Sequence, residues 1–104
     1  MFSEQVIQEL HIQKAFVSGS GFSLARGLTE VHLEEAQLKR KAIESAQQVF
    51  ALIDSTNLGK EDLTPCARID QICRLYTDGG VTPEWQRRIE QAGITLTICK
   101  PNPS

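Results

Sequence analysis

Apolar positions along this chain follow two rhythms. The first is a set of short, mostly apolar runs: Ala15-Phe16-Val17, Val49-Phe50-Ala51-Leu52-Ile53 and Ile72-Cys73-Arg74-Leu75-Tyr76. Each stops at a cluster of small polar residues and glycine, as a buried strand does where it meets a turn. Residues 94–99 predict a fourth strand. The second rhythm repeats every three to four residues. Across 33–48 there is no Gly or Pro; Leu38, Ala42, Ala46 and Val49 form a stripe, and Glu34, Glu35, Lys39, Arg40, Lys41 and Glu44 fill the other faces. This predicts a helix over 33–48. A second helix is predicted after Thr82, its cap, with Pro83 in the first position. Trp85, Ile89 and Ala92 face inward on it, and Gly93 stands at C′. Ser3 predicts a cap for a short N-terminal helix carrying Val6, Ile7 and Leu10. Residues 22–31 read as irregular, with one helical turn expected near 63–66 and a frayed end from Lys100 to Ser104.

Helix and strand therefore alternate. This argues for an α/β layer fold: Rossmann-like, three-layered, with a mainly parallel sheet of about four strands and right-handed crossovers. Four strands make a thin sheet, and an exposed edge is normally covered. Either oligomerisation or a further part of the domain is expected to cover it.

Composition narrows the class. The chain has 104 residues, 40% hydrophobic and 23% charged, the balance of a globular domain rather than a disordered or collagen-like chain. Eleven Lys and Arg against thirteen Asp and Glu give a net charge of −2, whereas a stretch that grips DNA by itself is usually basic. Cys66, Cys73 and Cys99 are odd in number and form no C-x-x-C, so they are expected as reduced, half-buried small hydrophobes rather than disulfides or metal ligands. No run of 18 apolar residues and no signal-peptide pattern is present, which predicts no membrane partner and a cytoplasmic location.

Candidate chemistry lies at the strand ends, because ligands of open α/β sheets bind at the carboxyl ends of the strands. In a parallel sheet the clusters 18–21, 54–57 and 77–80 share one edge. Gly19 and Gly21 let backbone N–H groups approach an anion, Ser18, Ser20 and Ser55 add hydroxyls, and Asp54 and Asp78 can accept from sugar hydroxyls. These are also the residue types that any turn uses, so composition alone leaves both readings open. The run Ser18-Gly19-Ser20-Gly21 is neither a P-loop nor a G-x-G-x-x-G fingerprint. His11 reads as a helix-end contact and His32 as part of a solvated cap. Within the basic run 39–41, Lys39 is the member placed to matter. No Ser/His/Asp or Cys/His arrangement suggests a nucleophile.

Taken together, the segment 14–21, Gly27-Leu28-Thr29, the helix 35–43, Leu52-Ile53-Asp54-Ser55-Thr56 with Gly59, Ile69-Asp70 and Tyr76-Thr77-Asp78 resemble the effector domain of DeoR-type transcriptional repressors. The resemblance runs over nearly all of residues 5–99. It implies a fold related to sugar-phosphate isomerases and CoA transferases, and binding of a phosphorylated sugar or similar metabolite. It also implies homo-oligomers, dimers or tetramers. Residues 1–104 would then be a partial effector-binding domain, without the family's winged helix-turn-helix, through which alone DNA is bound, and without the first half of the sensor domain. The implied effector-binding residues are Ser18, Gly19, Ser20, Gly21, Lys39, Asp54, Ser55, Asn57 and Asp78, with no catalytic residue, metal or cofactor. The sequence departs from the family at two places: Asn57 stands where the Asp-Ser-Ser-Lys-Phe-Gly motif has lysine, and Ser18 where glycine is usual. Two alternatives remain. One is a sugar-phosphate isomerase-like enzyme fragment using Glu30, His32 or Asp54 as acid or base. The other is a dimerisation module without a ligand.

Overall fold

The computed structural model describes residues 12–100. The expected N-terminal helix, His11 and the end 101–104 lie outside the described residues. Four parallel strands form the main sheet: β1 (Ile12–Ser18), β4 (Ala46–Leu52), β6 (Arg74–Asp78) and β7 (Thr95–Cys99), side by side in that order. A smaller antiparallel sheet joins β2 (Gly21–Ser23), β3 (Gly27–Glu30) and β5 (Thr64–Ala67). Helix α1 (Leu33–Ser45) precedes β4 and α2 (Pro83–Gln91) precedes β7. The fold is Rossmann-like α/β, with the expected parallel sheet of four strands; among the described residues its helices cover one face only, two layers where three are expected.

Each step from β1 to β7 moves in the same direction across the sheet. Right-handed crossovers then place every connection on one face. Val17, Val49, Ala51, Ile53 and Leu75 point to that face and join Ile43 of α1, Ile89 of α2, and Phe22 and Leu28 of the small sheet in one core. Fully burying a side chain of this size contributes roughly 1.5–3 kcal/mol. The opposite face carries Phe16 beside Phe50 in register, with ring centroids 5.0 Å apart, and Tyr76 against both. There Phe16 is 60% exposed and Leu52 40%.

Several expectations are corrected. Residues 22–31 are not irregular: β2 and β3 are short and buried throughout, so they show no alternation to read. At their junction Gly27 turns with φ +77. The turn expected near 63–66 is strand β5, paired with β3. The helix over 33–48 ends at Ser45, because Ala46 turns extended and Ala46 and Gln48 pair with Ile12 and Lys14 of β1. The buried residues of α1 are Ala36 and Ile43 rather than the stripe through Ala46. The third strand is 74–78 rather than 72–76, and the fourth begins at Thr95. On α2, Thr82 accepts from the Trp85 N–H at 3.2 Å and Gly93 follows with φ +88, as expected. Ile89 is buried, Trp85 is half-buried, and Ala92, at the C-cap, is exposed. All three cysteines are free, but only Cys66 is buried; Cys73 and Cys99 are exposed. Among the described residues no helix is long and apolar enough to cross a membrane, and no group of three or more His, Cys, Asp or Glu is placed to hold a metal ion.

Candidate functional site

Parallel strands bring their carboxyl ends to one edge, and there a cleft of about 280 Å³ opens. Ser18 ends β1 and Gly19 follows it; Leu52 ends β4, with Ile53 and Asp54 after it; Tyr76, Thr77 and Asp78 end β6; Cys99 ends β7. Asp54 is exposed, and its carboxylate makes no hydrogen bond or ion pair among the described residues. Thr77 is only 4% exposed, and its Oγ1 has no hydrogen-bond partner. An unmet buried hydroxyl costs about 1–3 kcal/mol, and Thr77 is one of the residues lining the cleft.

Asp78 is the most heavily committed residue. Ser55 Oγ donates to its Oδ1 at 2.6 Å, the Ser55 N–H to its Oδ2 at 2.9 Å and the Gly80 N–H to its Oδ1 at 2.9 Å. The Ser55 hydroxyl above all, then the two N–H groups, hold its carboxyl down at about 2. The bonds tie the turn after β4 to the turn after β6. A carboxyl lowered in the fold stabilises it above the unfolded pKa, and that contribution is lost as pH falls through the folded value. Replacing Ser55 with alanine is expected to raise the Asp78 pKa toward the ordinary carboxylate range. The acid-labile part of the stability, lost between about pH 4 and pH 2, becomes smaller; a carboxyl-carbon NMR titration reads the shift directly.

The nine residues singled out by sequence separate in space. Ser18, Gly19, Asp54 and Asp78 border the cleft. Ser55 acts through Asp78. Ser20 turns away, its hydroxyl on Asp62 Oδ2 at 2.5 Å. Gly21 opens β2 in the small sheet, where a β-carbon would meet the Lys60 carbonyl at 2.6 Å. Asn57 sits in the 3-10 turn Ser55–Asn57, its N–H on the Asp54 carbonyl at 2.9 Å, outside the cleft lining. Lys39 reaches the end of β1 from α1, with Nζ 2.6 Å from the Ser18 carbonyl and 2.7 Å from Glu30 Oε2. Burial works to raise the Glu30 pKa, but the Lys39 ammonium and the N–H groups of His32 and Val31 outweigh it and hold it below the ordinary value. His32, the N-cap of α1, is exposed and makes no side-chain cap bond.

Sequence reading passed over Thr77, Tyr76 and Cys99 at the cleft, and Glu30 and Asp62 as partners. Thr77 carried a signal, since it directly precedes Asp78 in a strand-end cluster. Glu30 and Lys39 are nine residues apart, a spacing that no helix brings together. A second hollow, of about 220 Å³ between α1 and β5, has Arg40 and Arg68 on its wall. Their Nε groups are engaged by the Pro65 carbonyl and by Asp70.

Comparison with known proteins gives a consistent picture. Residues 1–79 match the family described as the DeoR C terminal sensor domain. An uncharacterized HTH-type transcriptional regulator of Bacillus subtilis, YulB, is 27% identical over 95 residues, covering 91% of this chain and 37% of that protein. The HTH-type transcriptional repressor GlcR of the same organism is 31% identical over 103 residues, covering 96% and 40%. The L-fucose operon activator of Haemophilus influenzae is 32% identical over 96 residues, covering 92% and 39%. The chain thus spans about two fifths of the length of these curated relatives.

Proposed function

Because the chain belongs to the DeoR C-terminal sensor domain family of transcriptional regulators, we propose that it is the ligand-sensing and association part of such a regulator, responding to a phosphorylated sugar or related metabolite. The observation that carries this reading is the cleft at the strand ends, with one free carboxylate and one buried hydroxyl without a partner. Both are groups that a hydroxyl-rich ligand satisfies. The names of two relatives, the L-fucose operon activator and a lactose phosphotransferase system repressor, point to sugar metabolism.

On this reading residues 1–104 form part of an effector-binding domain, and Ser18, Gly19, Asp54 and Asp78 are its ligand-facing positions. DNA contact falls to a helix-turn-helix segment of the kind the relatives' names carry. The effector acts by linkage: binding one arrangement of a homodimer or homotetramer more tightly, it shifts the population toward that arrangement, and the factor by which it changes DNA affinity equals the factor by which DNA changes affinity for the effector. Catalysis is not part of the role. Glu30, the buried candidate base, is spent on Lys39, and the relatives are regulators.

The test is an amide NMR titration of the chain with a panel of free sugars and sugar monophosphates. Saturable shifts confined to 18–19, 54–55 and 76–78 are expected. Saturable shifts elsewhere, with these amides unmoved, would remove the effector site from this edge of the sheet.

A further inference from the structure

Parallel sheets are almost always covered on both faces, yet α1 and α2 pack on one face of this sheet. The middle of the other face is apolar. Phe16 and Phe50 stack there, Tyr76 packs against both, and Leu52 follows two residues after Phe50. Phe16 and Leu52 are left exposed. Side chains alternate along a strand, so the same face carries charges at its two ends. On the amino side, Lys14 and Arg74 stand in a hollow of about 470 Å³ with no acid in its wall. On the carboxyl side stand Asp54 and Asp78, with no Lys, Arg or His beside them in the cleft lining. None of the four makes an ion pair among the described residues.

An exposed apolar patch rimmed by polar groups marks an interaction site, and here the charges choose the partner. A surface that is basic at one end and acidic at the other complements its own copy turned end for end. Two copies stacked face to face about a two-fold axis lying across the strands run their strands in opposite directions. The Lys14 end of each then lies over the Asp54 end of the other, and the contact is made twice, as in any isologous pair. Phe16, Phe50, Leu52 and Tyr76 close against their counterparts between the charged ends. Stacked with strands running the same way, the two faces would set like charge over like, which is costly. Packed sheets lie about 10 Å apart, a gap that a lysine from one side and an aspartate from the other span together. We propose that this open face is the association surface of the chain and that its partner is a second copy bound end for end, with Lys14 of each copy paired to Asp54 of the other. The inference deepens the association half of the reading above and rests on it, not on the identity of the effector. Because Asp54 also borders the cleft, the two events meet at one carboxylate.

The test is sedimentation velocity over a concentration series, on the chain and on its Phe16→Glu, Lys14→Glu and Asp54→Lys variants. All three positions are exposed, so the variants keep the fold, and an amide spectrum of each checks it. The parent is expected to form a dimer, and each substitution to weaken it by at least about tenfold, since either charge reversal sets like charges together at both contacts. The Lys14→Glu and Asp54→Lys chains are then mixed. In the mixture both contacts again join opposite charges, so a mixed dimer about as tight as that of the parent is expected. A substitution that merely disturbed the sheet would not be rescued in this way. Weakening in both single variants without rescue in the mixture overturns the end-for-end arrangement. A dimer unmoved by all three substitutions overturns the inference and leaves the association reading standing, with the contact elsewhere; Val31, Leu33 and Leu63 are the other exposed large apolar side chains among the described residues. A parent that stays monomeric throughout the series overturns both the inference and the association reading, while the effector reading still stands or falls by the sugar titration.

Discussion

Replacing Gly27 with valine is expected to remove at least about 3 kcal/mol of stability, visible as a large fall in the urea midpoint with little change in slope. Gly27 sits at φ +77, where a β-branched residue is a severe outlier. A β-carbon there would also run into the Ala67 carbonyl oxygen. That oxygen belongs to β5, so relief would require β3 and β5 to part. The two strands carry Leu28, Thr29, Cys66 and Ala67, all buried, and the loss would spread through the small sheet. Gly79 provides the contrast. A β-carbon there meets nothing within 4 Å, so Gly79→Ala is expected to stay within about 0.5 kcal/mol of the parent.

A Lys39→Met chain is expected to lose about 2–3 kcal/mol near neutral pH. The carboxylate of Glu30, a residue only 6% exposed, would be left without its ammonium, and the Ser18 carbonyl without its donor. Breaking a fully buried pair costs roughly 3–5 kcal/mol; the figure here is lower because the Lys39 side chain keeps about a fifth of its surface in water. The pH dependence gives the sign. In the parent, Glu30 is held below its ordinary value, so its contribution is present above a pH of about 4.5 and fades as pH falls through the lowered value. In Lys39→Met, burial is opposed only by the backbone N–H groups and raises the pKa. The raised group favours the fold at low pH, so the gap between variant and parent narrows as the solution is acidified. Chemical denaturation in a pH series measures both curves. A gap that stays constant below about pH 5 would show that Glu30 is not the group Lys39 serves.

These two positions also show what a sequence reveals and what it hides. β1, β4 and α2 were legible because their signals are local: an apolar run stopped by Ser18-Gly19-Ser20-Gly21, another stopped by Asp54-Ser55, and Thr82-Pro83 opening a helix that Gly93 closes. β2, β3 and β5 were not. They are three or four residues long, β2 and β3 are buried on every residue, and the hairpin they form is held by β5, distant in the chain. The end of α1 was missed because pairing of Ala46 and Gln48 with β1 overrides helical spacing. At the site, the strand-end clusters gave the edge but not the orientation of their members. Ser20 turns from the cleft because of Asp62, 42 residues away, and Lys39 is diverted by Glu30. Neither partner leaves a mark within a helical or strand period.

The order of the sheet, β1-β4-β6-β7, has a consequence for how the protein is made. After β1, each of these strands pairs with one synthesised before it and waits for none that comes later. β5 likewise finds β3 already formed. At roughly 5–20 residues per second, the ribosome delivers successive strands about seconds apart, while a hairpin or loop closes in about microseconds. The nascent chain can therefore build its sheet outward from β1, laying each strand on a finished edge, and the cleft is complete only when the last of them, β7, emerges.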